Sequence, residues 1–458
     1  MTPAPAAGGP GPGGERAAPD PALVTDQYEL TMAQAYWREG LGGQAVFSLF
    51  VRDLPPGRNY LLACGLEAAL SYLETLRFGP ASLEYLARLP EFGDDFLGWL
   101  AGLRFTGSVR AVPEGTPVFG SEPILEVRAP LPEAQVVETF VMNQVHLQTL
   151  LASKAARVVA AAGERPVVDF GLRRMHGIDA GLKAARAFHV AGVAATSNLA
   201  AGAAWGLPVS GTMGHSYIQA HDSEEEAFRA FARQYPGTIL LVDTYDTLEG
   251  VRTVARLAAE EGLEVGGIRL DSGDLAELSV RSRDILDGAG LGDVRIFASG
   301  GLDEDRIADL VERGAPIDGF GVGTGMGVSR DAPALDIAYK LVEYGGRGRI
   351  KLSAGKELLP GPKQVFRVEE GGTAVRDVLA RADEEAPGRP LLVPVMRGGE
   401  RLEAGRGSLE AARERARRET ALLPERVRAL SPADPPYPVA ETRRLERDRD
   451  VAARRAGA

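Results

Sequence analysis

The sequence predicts an α/β protein: a parallel, TIM-like barrel of about seven strands, preceded by a domain of mixed helices and antiparallel strands. Three observations carry this. From Pro166 to Val322 short apolar runs alternate with helical periodicity in about seven successive β-α units, the pattern of buried parallel strands covered by helices. Polar residues cluster just after those runs all along the series, as the C-terminal rim of a barrel requires. Before residue 140 the short strand-like runs are instead separated by Pro and Gly turns, which suits an α+β domain. A chain of 458 residues is long enough for two or three domains.

In chain order, residues 1–20 are almost all Gly, Ala and Pro with a single basic residue, Arg16, and read as a disordered tail rather than a secretory signal. Residues 21–140 form the first domain. Thr25-Asp26-Gln27-Tyr28 opens a helix with Thr25 or Asp26 as its cap, Gln44 to Arg52 alternates like a strand, and Gly65 to Leu76 reads as a helix. Val109 to Val112 and Ile124 to Val127 read as antiparallel strands, and Glu133 to Arg157 as one long amphipathic helix. The barrel domain is expected over 141–345. Its strands start at Val167, Val193, Val209, Ile239, Val265, Val294 and Ile317, each followed by a helical stretch until the last closes the series. Strand-like Arg349 to Leu352 and Gln364 to Arg367, within 346–395, are available to rejoin the first domain's sheet. Residues 396–458 read as a helical and irregular extension, with Ser408 capping a charged helix from Leu409.

Composition narrows the function. A net charge of -11 excludes a general nucleic-acid or membrane-surface binder, so an anionic substrate would be met by a few local arginines. The one cysteine, Cys64, permits neither a disulfide framework nor a cysteine metal cluster. No apolar run reaches the roughly 18–20 residues that span a bilayer, so a cytoplasmic protein is expected.

The chemistry-bearing motifs sit after the strands. Val209-Ser-Gly-Thr-Met-Gly-His215-Ser216 breaks an apolar run with glycines and delivers Thr212 and His215, and an imidazole there can act as nucleophile or titrate near neutrality. Asp169-Phe170-Gly171-Leu172-Arg173-Arg174 places two guanidinium groups, suited to a carboxylate or a phosphate, and an aromatic face, suited to a planar ring, past the first barrel strand. In Ile268 to Asp274, Arg269 and Asp271 share one strand face. The arginine could hold an anion and the aspartate could take ribose hydroxyls or magnesium, while Asp274 reads as a helix cap. Ser299-Gly300-Gly301 and Gly321-Val322-Gly323-Thr324-Gly325 follow the last two strands, where barrels commonly bind phosphate. No Walker loop occurs; Gly355-Lys356 lacks the upstream glycine. Ile239 to Thr247 shares the apolar-then-acidic order of type I phosphoribosyltransferases but lacks their paired acids, so Asp243 reads as a rim residue. His146 and His189 fall in helices, His176 and His221 near the rim, with no metal-ligand spacing.

Together and in this order, Thr25 to Tyr28, Asp169 to Arg174, Gly211 to Ser216, Ile268 to Asp274, Ser299 to Gly301 and Gly321 to Thr324 resemble the nicotinate phosphoribosyltransferases, a type II phosphoribosyltransferase family. The resemblance implies an irregular α/β barrel plus an α+β sandwich, a homodimer with a shared active site, and transfer of phosphoribose from 5-phosphoribosyl 1-diphosphate (PRPP) to nicotinate with ATP hydrolysis. By position it implies that His215 is phosphorylated by ATP, and that Phe170 and the partner's Tyr28 flank the pyridine ring. It further implies that Arg173, Thr212 and Arg269 meet nicotinate. Asp271, with Asp243 as a second candidate, would meet ribose or magnesium diphosphate, while Ser299, Gly300, Gly301, Gly323 and Thr324 take the 5-phosphate. Nicotinamide phosphoribosyltransferases carry an acidic residue after the second barrel strand, where this chain has Thr196-Ser197-Asn198. Quinolinate phosphoribosyltransferases are shorter and call for more basic residues. A catalytically dead barrel would be expected to have lost His215, Arg269 or Asp271.

Overall fold

The computed structural model describes residues 20–352, 358–455 and 457; the N-terminal 1–19 and Gly355-Lys356 lie outside the described residues. The protein is α/β and divides into two compact units, Met1–Thr149 with Ala334–Ala458, and Leu150–Pro333.

The second unit is built on a curled, half-barrel sheet of six parallel strands. They are β1 (Val167–Asp169), β2 (Ala195–Thr196), β3 (Thr238–Leu241), β4 (Val265–Leu270), β5 (Arg295–Ala298) and β6 (Gly319–Val322), in the order β2-β1-β6-β5-β4-β3. Helices follow the strands because the intervening segments carry caps and amphipathic spacing. Asp246, Asp274 and Asp303 each accept backbone N–H groups from the first turn of the next helix. The Val209 run is not a seventh ladder strand. It makes only the isolated bridge Thr196↔Val209, since Pro208 before it has no N–H and Val209 itself is half exposed.

The first unit holds a seven-stranded antiparallel sheet in the order Arg347–Gly348, Ile337–Tyr344, Gln44–Val51, Pro123–Pro130, Ser108–Ala111, Val393–Arg397, Glu400–Arg401. The segments that rejoin the N-terminal strands are thus Ile337–Tyr344 and Val393–Arg397. Arg349 to Leu352 forms no strand, and Gln364 to Arg367 belongs to a separate sheet of four. Local hairpins decide both cases. Gly345-Gly346 turns Tyr344 onto Arg347, and Gly371-Gly372 turns Glu370 onto Thr373, with all four glycines at positive φ. The expected long helix begins as Leu131–Val136 and continues as Glu138–Ala162.

The four-stranded sheet encloses a charge pair. Arg367 and Asp377 are both 0% exposed and meet in a bidentate contact, Nη2–Oδ2 2.6 Å and Nε–Oδ1 3.0 Å. Tyr437, stacked on Phe119 at 3.9 Å, donates its hydroxyl to Asp377 Oδ1 at 2.9 Å. Burial first, and then the charge of Asp377, raise the neighbouring Glu122 well above the usual carboxylate range.

Glu29, on the helix Gln27–Arg38, is fully buried and accepts hydrogen bonds from Thr25 and Thr139. Burial pushes its carboxyl up from 4.5 to about 7 against the pull of those two donors. The folded state therefore holds a proton that the unfolded chain releases near 4.5. The associated stability is complete below that pH and is lost as pH rises through about 7. Glu29→Gln should remove that part of the pH dependence, measured as denaturation midpoints from pH 5 to 8. An unchanged slope would mean the glutamate is ionised in the folded protein.

Candidate active site

The polar residues that follow β1 to β6 all lie at the C-terminal ends of the strands, where open and closed parallel sheets bind ligands. Asp169, ending β1, is a strut. It is buried, accepts from Gly171 N at 2.8 Å and from Thr196 Oγ1 at 2.7 Å, and burial raises its pKa. This ties β1 to β2 and shapes the turn that presents Phe170. The Phe170 ring lies over Gly321, where a Cβ would come within 2.4 Å of the ring. Glycine is required there for the aromatic face to stand at the rim.

On β4, Arg269 is held by Met213 O (2.7 Å), Asp271 Oδ1 (3.2 Å) and Ser299 Oγ (3.2 Å), with its guanidinium 5.9 Å from the Phe170 ring centre. Burial lowers its pKa, the charges of Asp271 and Asp243 pull it back, and Arg173 lowers it again. Asp271 also accepts from Ser299 Oγ at 2.5 Å. Asp243, just past β3, uses Oδ2 to receive Asp271 N (3.0 Å) and Ser272 Oγ (2.6 Å). Three buried polar atoms here have no hydrogen-bond partner among the described residues: Arg269 Nε, Thr212 Oγ1 and Asp243 Oδ1. Unpartnered buried atoms are costly, and three of them at the strand ends, one on an arginine that lies 5.9 Å from the Phe170 ring centre, suit a polar ligand.

His215 begins the short helix His215–Gln219, and its Nδ1 lies 3.1 Å from Thr244 Oγ1, which orients the ring. Sequence reasoning missed Thr244, although it stands one residue after the rim Asp243. It also missed Glu224, whose Oε1 is buried without a partner. Burial, followed by the charges of Asp243 and Asp246, pushes its carboxyl up to about 7. Its position at the start of a helix gave it the look of a solvated first-turn acid.

The glycine loops are shaped by contact. Gly300 has φ +88, and a Cβ there would fall 1.8 Å from Asp271 O. Gly301 has φ +65, and Ser299 beside them is buried. Gly323 precedes the turn of helix Thr324–Gly327, and a Cβ on Gly325 would reach Leu302 O at 2.9 Å, so the loops after β5 and β6 pack on each other. Arg173 is exposed and forms no ion pair among the described residues. Of the rim triplet, Thr196 and Asn198 are buried in structural bonds, to Asp169 and to Ala201 N; Ser197 alone is exposed.

Tyr28 lies in the first unit, on the helix Gln27–Arg38. It is 47% exposed and lines a hollow with Asp26, Glu138, Thr139, Asn143 and His146. His146 accepts from Leu335 N at 2.9 Å, and His189 is buried in a helix. Among the described residues no group of three His, Cys, Asp or Glu side chains could by itself hold a metal ion, and no helix is long and apolar enough to cross a membrane.

Two family models match the chain. Residues 23–146 match the nicotinate phosphoribosyltransferase (NAPRTase) N-terminal domain and residues 166–355 the nicotinate phosphoribosyltransferase (NAPRTase) family. The nicotinate phosphoribosyltransferase pncB2 of Mycobacterium tuberculosis is 56% identical, over 93% of this chain and 92% of its own. That of Bacillus subtilis is 43% identical, over 79% and 76%. The crystal structure of human nicotinic acid phosphoribosyltransferase superposes with a TM-score of 0.83 at 30% identity, covering 93% of this chain and 99% of that one. The chain therefore belongs to the nicotinate phosphoribosyltransferase family.

Proposed function

We propose that this protein joins nicotinate to PRPP, forming nicotinate mononucleotide and releasing diphosphate, as a cytoplasmic step of NAD biosynthesis. The observation that carries this is the trio of unpartnered buried atoms at the strand ends, on Arg269, Thr212 and Asp243, with the Arg269 guanidinium 5.9 Å from the Phe170 ring centre. A carboxylate on a flat aromatic ring satisfies the first two, since guanidinium N–H and a hydroxyl both donate to it. Arg173, without an ion pair among the described residues, would supply further positive charge. The rim at Ser197 offers no acid to receive an amide, which favours nicotinate over nicotinamide.

Transfer breaks the bond from the ribose anomeric carbon to diphosphate and forms one to the pyridine nitrogen, through an oxocarbenium-like state. Phe170, with Tyr28 of the partner subunit in a homodimer, would hold the ring so that its nitrogen faces that carbon. Asp271 would meet ribose hydroxyls, and its carboxylate would there oppose the positive charge that develops on the ring. The glycine loops at Ser299, Gly300, Gly301, Gly323 and Thr324 would take the 5-phosphate.

Magnesium fits the residues present: Asp243 Oδ1 is buried without a donor, and Asp271 is partly open. One or two carboxylates plus substrate phosphates is the usual way this ion is held, so Asp243 and Asp271 would be its protein ligands. When bound it neutralises charge on the departing diphosphate.

We further propose that ATP is a co-substrate. His215, oriented by Thr244, attacks the terminal phosphorus of ATP; ADP leaves, and the phosphoramidate is later hydrolysed to phosphate. The test is the initial rate of mononucleotide formation from PRPP with nicotinate or nicotinamide, each with and without ATP. Product should come from nicotinate and be stimulated by ATP, and His215→Ala should abolish the stimulation while keeping a basal rate. Product from nicotinamide alone would overturn the substrate assignment, and full ATP stimulation in His215→Ala would overturn the role of the histidine.

A further inference from the structure

The loops after β5 and β6 are each touched by an arginine that is bonded to neutral oxygen and, among the described residues, to nothing acidic. Arg174 ends the turn Leu172–Arg174 behind β1, and its Nη1 donates to Thr324 Oγ1 at 3.4 Å. Arg306, in the first turn of the helix Glu304–Glu312, reaches back so that Nη1 donates to Gly301 O at 3.2 Å. Both are exposed, and neither forms an ion pair with a described carboxylate. The nearest acid in sequence to Arg306, Asp303, is engaged by the Arg306 backbone N–H at 3.0 Å. Arginines on the covering helices behave differently: Arg229, Arg252, Arg256, Arg281 and Arg283 are each salt-bridged to a glutamate or aspartate.

We infer that Arg174 and Arg306 are the side-chain cations that close on the 5-phosphate of PRPP, one held at each glycine loop, Arg174 by Thr324 and Arg306 by Gly301; this rests on reading the chain as a PRPP-using enzyme. A phosphomonoester carries nearly two negative charges at neutral pH. The glycine loops can meet it with backbone N–H groups, but those bring hydrogen bonds and no net charge. In a chain of net charge -11 the balancing charge has to be local. An arginine already paired with a carboxylate would have to break that pair to serve. Arg174 and Arg306 give up only a neutral hydroxyl and a neutral carbonyl contact, and gain charge-assisted bonds worth more than either. Their tethers also place them at the two loops that pack on each other, through Gly325 and Leu302.

The test measures ribose 5-phosphate and diphosphate binding by calorimetry on the full chain, together with the KM for PRPP. Arg174→Ala and Arg306→Ala should each weaken ribose 5-phosphate binding and raise the PRPP KM by roughly tenfold or more. Diphosphate binding and the nicotinate KM should stay as in the wild type. Arg174→Lys should recover part of the loss, because lysine keeps the charge without the planar fork. Unchanged ribose 5-phosphate binding in both alanine variants overturns the inference, as does equal weakening of diphosphate, which would indicate a general field effect. A wild-type chain that binds no ribose 5-phosphate overturns it too. If the wild type binds ribose 5-phosphate without making nucleotide, the proposed function fails and the phosphate site stands.

Discussion

Arg269→Ala is expected to lower kcat/KM for nicotinate by about two to three orders of magnitude, the scale on which loss of one preorganised donor acts. The loss has two sources. The buried Nε, without a partner among the described residues, is the donor that the proposed reading gives to the nicotinate carboxylate. Removing the guanidinium also releases Asp271 and Ser299, which it holds at 3.2 Å each. Arg269→Lys should recover little, because one ammonium group cannot reach Met213 O, Asp271 and the ligand together. Steady-state kinetics with each substrate varied in turn would show it, with the nicotinate KM rising most. A change of less than threefold would remove Arg269 from the substrate site.

The largest expected effect on stability is at the buried pair of the first unit. Asp377→Ala removes the bidentate partner of Arg367 at 0% exposure, leaving it only Glu419 at 3.9 Å and the Pro117 carbonyl, and deprives Tyr437 of its acceptor, so a loss of about 3–5 kcal/mol is expected. Replacing both partners by apolar residues of similar volume, Arg367→Met with Asp377→Leu, should cost much less, because no charge is then stranded. Denaturant midpoints of the two variants decide the matter. Equal destabilisation would mean that the lost packing, rather than the stranded charge, sets the cost.

Much of the fold was legible because it is written in local order. Each β-α unit of the second half carries its own strand, cap and helix within about thirty residues, and sequential parallel units pack as neighbours. The errors fall where partners are distant or where a turn is stronger than it looks. Gln44–Val51 pairs with Ile337–Tyr344, about two thirds of the chain away, and nothing local in either strand names the other. Gln364 to Arg367 was expected to join that sheet, but two adjacent glycines fold it into a hairpin with Thr373–Arg381. At the rim, the residues singled out by their motifs do stand together after the strands. Thr244 and Glu224 escaped because each looks ordinary in its own segment and acquires meaning only from His215 and Asp243 across a loop.

What the amino-acid order determined by itself was the kind of chemistry at each strand end: an aromatic face, isolated guanidinium groups, a histidine between glycines, and loops able to bare their backbone. These follow from residue type and from the two-residue and 3.6-residue periods, which need no knowledge of distant neighbours. Only the tertiary structure decided which of those groups are already satisfied. Asp169 turns out to be spent on Gly171 and Thr196 and Asp274 on its own helix, whereas Arg269, Thr212 and Asp243 keep a buried atom unpaired. Whether a hydrogen-bonding group is free depends on everything packed against it from other parts of the chain. That is why a candidate site could be named from the sequence, while the buried atoms it leaves unpaired could be found only in the fold.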